Sequence, residues 1–175
     1  MNVEFIDKMG SDLTVVNAAR VSYAKTKEQF EELHQEFINF LATQSITADE
    51  WQTIKTDKPE VAEQELDVFS DLVWEGVLTA AKYLEHISPQ NIHLFALNED
   101  HMHLIGIKIN KENLDVTTAE GFEWLRNNLM DENVEFAQAR KDYTEDKNQD
   151  IFKLIQQGSI ITKGELYEYM NNLIN

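Results

Sequence analysis

The sequence predicts an α+β fold: a helical bundle over residues 26–86, packed on a small antiparallel sheet of about three strands and closed by C-terminal helices. Three observations carry that expectation. Apolar residues recur at three- and four-residue spacing up to Leu84, the period changes to alternation at Ile92, and helical spacing returns after Asp150. A chain of 175 residues with 42% hydrophobic side chains is also long enough for one well-packed core.

At the head, residues 2–6 alternate weakly and Met9-Gly10-Ser11-Asp12 reads as a turn. Ser11 or Asp12 can cap a helix suggested by Leu13, Val16, Ala19 and Arg20. After Thr26, the residues Phe30, Leu33, Phe37, Ile38 and Leu41 fall on one helical face while Glu31, Glu32 and Glu36 face water. Thr47 with Glu50 three residues on has the capping-box pattern for a short helix carrying Trp51 and Ile54. Pro59 lacks an N–H and suits the first turn of a new helix. Its stripe of Ala62, Leu66, Phe69, Val73, Val77, Ala80 and Leu84 predicts one long helix ended by Ser88-Pro89.

Ile92, Leu94 and Ala96 then alternate with His93, Phe95 and Leu97. Asn98 to His101 forms a polar turn, and Met102 to Ile109 is apolar again, so the pair reads as a β-hairpin. Apolar residues on both faces of its middle imply cover from another layer. Thr117 with Glu120 opens a helix bearing Phe122, Leu125 and Leu129, and Val134, Phe136 and Gln138 suggest a third strand. Tyr143 to Asp150 reads as a polar loop. Ile151, Phe152, Leu154 and Ile155 make a short helix stopped at Gly158, and a last helix carries Leu166, Tyr169, Met170 and Leu173.

Composition restricts function. With 32 acidic and 15 basic residues the net charge is -17, which repels a phosphate backbone, so no direct nucleic-acid binding is expected. No apolar run approaches the ~18 residues of a membrane span, and the start lacks a basic region followed by an apolar one. Zero cysteines exclude disulfides and thiolate chemistry and fit a reducing compartment, so a cytoplasmic setting without membrane contact is expected. In residues 1–25, Glu4, Asp7 and Asp12 cancel Lys8, Arg20 and Lys25, so the acidic surplus lies in 26–175. The expected organisation is a peripheral or flexible head, 1–25, and a single acidic domain, 26–175.

One arrangement has metal-ligand spacing. His101 and His103 stand two apart on a strand and can present two imidazoles to one ion, with Glu99 or Asp100 adding an oxygen. A four-residue turn at Asn98 to His101 would set Ala96 opposite His103 and send His93 to the other face, so a third histidine does not converge. The competing reading is a hydrogen-bonded His103 in the sheet and a solvated His101.

Carboxylate pairs such as Glu31 with Asp49, or Glu60 with Glu63, are what a chain this acidic produces by chance, and no catalytic residue is assigned. There is no G-x-S-x-G elbow, no phosphate loop and no dinucleotide fingerprint. Tyr143 to Asp150 lacks the central glycine and terminal glutamate of a calcium loop. Trp51, Trp74 and Trp124 sit in helical patterns as core or rim residues.

The residues Met9, Gly10, Asp12, Ala18, Ala19, Arg20, Val21 and Ser22 resemble the N-terminus of flavin-dependent thymidylate synthases. That resemblance implies binding of FAD and dUMP. The family's signature is an Arg-His-Arg triplet; here Arg20, Arg126 and Arg140 are the only arginines and none adjoins a histidine. From Thr26 onward the chain resembles a conserved family of uncharacterised flavobacterial proteins, which implies no known activity. The leading expectation is a non-enzymatic interaction or regulatory module with a protein partner and no cofactor. The alternatives are a remnant or accessory of flavin-dependent thymidylate synthesis, with FAD as its cofactor, and an acidic nucleic-acid mimic.

Overall fold

The computed structural model describes residues 27–144 and 146–175, with side-chain burial described from Leu33 onward. The head-segment expectations for residues 1–25, strand, turn and helix alike, lie outside the described residues. The chain divides into two compact units, the first ending at Gly76 and the second running from Val77 to Asn175.

The first unit is helical. Helix α1, Lys27–Thr43, buries Leu33, Phe37 and Leu41 and leaves Glu36 exposed, as the three- and four-residue spacing requires. Ser45, in the left-handed region at φ 59°, turns the chain. Helix α2, Ala48–Asp57, opens on the complete Thr47–Glu50 capping box: the Thr47 hydroxyl accepts from the Glu50 N–H and the Glu50 carboxylate accepts from the Thr47 N–H at 2.8 Å. Helix α3, Pro59–Ala80, begins on its proline. Phe37, Phe40, Leu41, Trp51, Ala62 and Phe69 make this unit's core. Phe37 is its centre, with ring centroids at 4.8 Å from Phe69 and 5.5 Å from Trp51.

The second unit holds a five-stranded antiparallel sheet ordered β4-β3-β2-β1-β5, where about three strands were expected. The strands are β1 Tyr83–Ser88, β2 Asn91–Leu97, β3 His101–Ile109, β4 Val134–Asp142 and β5 Ile160–Thr162. The correction at β1 has a clear cause. Leu84 continues the 3–4 spacing of the α3 stripe, yet the helix ends at Ala80 and Leu84 is buried from a strand. Tyr83, Glu85 and Ile87 point one way and Leu84 and His86 the other, which is a period of two. Pro89 and Gln90 then close a tight hairpin, with Ser88 opposite Asn91. The fifth strand was missed because three residues between Gly158 and Gly164 show no alternation.

The expected hairpin register holds, with Ala96 opposite His103 and His93 opposite Gly106. One face of the sheet carries Ile92, Leu94, Ile105, Ile107 and Ile109. These pack against Val116, Leu125, Leu129, Tyr167 and Met170 from the segment between β3 and β4 and from the C-terminal helix. Helix α4, Ala119–Asn127, and helix α6, Glu165–Ile174, therefore cover this face. The cap of α4 is Thr118, whose hydroxyl accepts from the Gly121 N–H at 3.0 Å. Thr117, the expected cap, instead donates to Asp115 in an Asx turn. The opposite face buries Leu84, Phe95, Leu97 and Met102, with helix α5, Lys147–Gln156, beside it. Residues expected in a polar loop up to Asp150 thus include the first turn of α5, capped by Asp146.

Candidate functional site

The two histidines with metal-ligand spacing open strand β3 on the face that α6 covers, and each is engaged by the protein. His101 Nδ1 lies 2.6 Å from Asp100 Oδ1, and its Nε2 lies 3.2 Å from the Asn98 amide nitrogen. The His101 hydrogen bond holds the Asp100 carboxyl below the usual carboxylate range. His103 Nδ1 lies 2.6 Å from the Tyr167 hydroxyl, and the two rings meet edge to face at 5.9 Å. Burial, with the nearby Glu168 charge, raises the Tyr167 phenol above its ordinary range. Glu99 lies in the turn before β3 and is exposed. Among the described residues no three His, Cys, Asp or Glu side chains come together to hold a metal ion.

His93 lies on the other face, directly across from His86, with ring centroids 6.1 Å apart. Burial, and then the His86 ring, lower the His93 imidazole below its usual range. The adjacent positions in that row are Gly106 and Ala137, so the two rings stand beside a smooth strip of sheet.

An apolar groove that was not identified from the sequence lies elsewhere in this unit. Between α4 and α6, above β1 and β5, lies a groove of about 630 Å³. Its floor and walls are Ile87, Phe122, Leu125, Leu166, Tyr169 and Met170. Glu85, Arg126, Lys163 and Glu165 also line it. Tyr169 is 53% exposed at this site, so its ring is open to a ligand at the rim of the groove. Glu85 accepts a hydrogen bond from the Thr162 hydroxyl at 3.2 Å, which ties β1 to β5 under the groove. Among the described residues Arg126 reaches only Glu123, at 3.9 Å, and both side chains are solvated, so toward these residues its guanidinium remains available to an incoming acceptor.

The sequence placed Phe122, Leu125, Leu166, Tyr169 and Met170 on helices, but assembling the groove needs β1 and β5. The alternation of Tyr83, Glu85 and Ile87 was the signal that could have supplied the floor. The arrangement offers an apolar surface flanked by both signs of charge, which suits binding of an amphipathic group.

A smaller cavity of about 360 Å³ lies under α5 on the opposite face, lined by Phe95, Met102, Leu104, Leu154 and the buried Asp150. Asp150 is committed to structure: it accepts from the Thr144 N–H at 2.8 Å and from the Thr144 hydroxyl at 2.9 Å. Among the described residues no helix is long and apolar enough to cross a membrane.

No curated protein and no solved structure matches the chain. Residues 22–175 match a family described as "Family of unknown function (DUF6495)", and the chain belongs to that family.

Proposed function

We propose that this protein is a non-enzymatic interaction module that takes an apolar segment of a protein partner into the groove between α4 and α6. The observation that carries this reading is the apolar lining itself: Ile87, Phe122, Leu166, Met170 and the exposed Tyr169 form a continuous recess. A recess of this kind holds an amphipathic helix or extended segment by its apolar side chains. The net charge of -17 selects the partner, because it steers basic surfaces toward the chain and repels acidic ones. The partner segment is therefore apolar and flanked by Lys or Arg. The setting we propose is the cytoplasm, which the absence of cysteine suits.

The test is affinity capture from a native lysate with the full chain, Tyr169→Glu and Leu72→Glu, followed by mass spectrometry. Leu72 is 57% exposed and lies outside the groove, so its variant controls for added charge. A protein held by the native chain and Leu72→Glu but lost with Tyr169→Glu supports the proposal. Equal capture by all three, or retention of an apolar small molecule in place of a protein, overturns it.

A further inference from the structure

We infer that the outer edge of β4 is a self-pairing edge, on which a second copy of this chain docks antiparallel about a two-fold axis through Gln138. Among the described residues, strand β4 lies at the end of the sheet and pairs only with β3, over all nine residues Val134–Asp142. Among the described residues no strand pairs with its outer side, although the outward Val134 N–H at its first residue donates to the Asp131 carbonyl at 2.9 Å, and residues 137–142 are exposed. An open ladder of that length is a template for another strand.

The strand's own sequence specifies which strand. In a continuous antiparallel sheet, residues directly opposite share a face, so a two-fold axis between two copies of β4 must pass through a residue. Only the axis through Gln138 pairs all nine residues. It sets Glu135 opposite Lys141 of the second copy, and by symmetry Lys141 opposite Glu135. It also sets Phe136 opposite Arg140, Ala137 opposite Ala139, and the Gln138 amides opposite each other. Opposite charges and aromatic–cation pairs directly across a ladder are favourable, and the small alanines let the backbones approach. Moving the axis to Ala137 places Glu135 against Ala139 and Lys141 against Asn133. Moving it to Ala139 places Glu135 against Tyr143 and Lys141 against Ala137. Either shift loses both ion pairs.

Charge supports the same occupant. Two chains of net charge -17 repel, but β4 balances Glu135 and Asp142 with Arg140 and Lys141 and is locally neutral. Charged residues can also merely guard an edge, but guarding does not require that they match their own copy. This inference is independent of the groove, which lies at the β1–β5 side of the sheet.

The experiment is sedimentation velocity on the full chain from micromolar to millimolar concentration, with Lys141→Glu, Glu135→Lys and the double charge swap. The native chain is expected to show a concentration-dependent dimer. Each single swap makes both symmetry-related pairs repulsive and should raise the dissociation constant by about tenfold or more. The double swap restores opposite charges and should return the constant to within a few-fold of native. Circular dichroism confirms that each variant keeps its fold. A native chain that stays monomeric throughout, a dimer indifferent to the single swaps, or a double swap as weak as the singles would overturn the inference.

Discussion

His103 on β3 and Tyr167 on α6, 64 residues apart in sequence, meet with Nδ1 and hydroxyl oxygen 2.6 Å apart and so tie the C-terminal helix to the start of β3. The Tyr83 ring lies tilted against the same tyrosine at 5.5 Å by centroid, and its hydroxyl donates to Glu168 at 2.5 Å. Because the Tyr167 ring also belongs to the apolar core, Tyr167→Phe removes the hydrogen bond and keeps the packing. The expected loss is about 0.5–1.5 kcal/mol, read from urea unfolding at unchanged slope. No loss would mean that water serves His103 equally well.

Asp150 gives the chain a pH-dependent contribution of known sign. The Thr144 N–H, first, and then the Thr144 hydroxyl and Lys153 hold its carboxyl below the ordinary range. A carboxyl with a lowered folded pKa stabilises the fold fully above its unfolded value of about 3.9, and that contribution is lost as pH falls through the folded value. Asp150→Asn should therefore cost about 1–3 kcal/mol at neutral pH. The gap between native and variant urea midpoints should persist down to about pH 4 and close below it. A gap that widened on acidification would contradict this assignment.

Most patterns that were local in sequence predicted their elements, although the Thr117–Glu120 pattern put the cap one residue before Thr118, and patterns that depended on distant partners did not. The Thr47–Glu50 capping box, the Pro59 start and the Ala96–His103 register each follow from a few adjacent residues, and each stands in the structure. Strand β1 was hidden because Leu84 satisfies both the helical stripe of α3 and the alternation of a strand, and only pairing with β2 and β5 decides between them. The groove was hidden for the same reason. Its walls were recognisable as apolar helix faces, but its floor, Glu85, Ile87 and Thr162, exists only once β1 and β5 are paired. His101, expected in the turn before the strand, instead opens β3 on the same face as His103, whereas the partner of His103 lies on the last helix and no local spacing points to it.

Two glycines should respond to alanine with opposite sign. A Cβ on Gly121 would overlap the carbonyl of Asp115, which the turn before α4 brings against the helix. Neither backbone segment can yield without disturbing the Thr118 cap, so Gly121→Ala should cost about 1–3 kcal/mol. Gly76 lies within α3, where a Cβ would meet nothing within 4 Å. There the only change is better helix propensity, and Gly76→Ala should gain about 0.5–1 kcal/mol. Thermal or urea unfolding of the two variants side by side checks both signs.

Phe37 should be the most sensitive position of the first unit. Its side chain is fully buried, and its ring lies 4.8 Å from Phe69, 5.5 Å from Trp51 and 6.1 Å from Phe40 by centroid. Phe37→Ala opens a cavity that three bulky, partly rigid rings cannot collapse to fill, so a cost of about 3–5 kcal/mol is expected. Phe37→Leu keeps most of the volume and forfeits mainly the aromatic contacts, worth about 0.5–1.5 kcal/mol. Hydrogen exchange reads the difference by location: amides of α1 and α2 should lose protection strongly in the alanine variant and weakly in the leucine variant. If alanine and leucine were equally damaging, ring geometry rather than filled volume would be what holds these helices together.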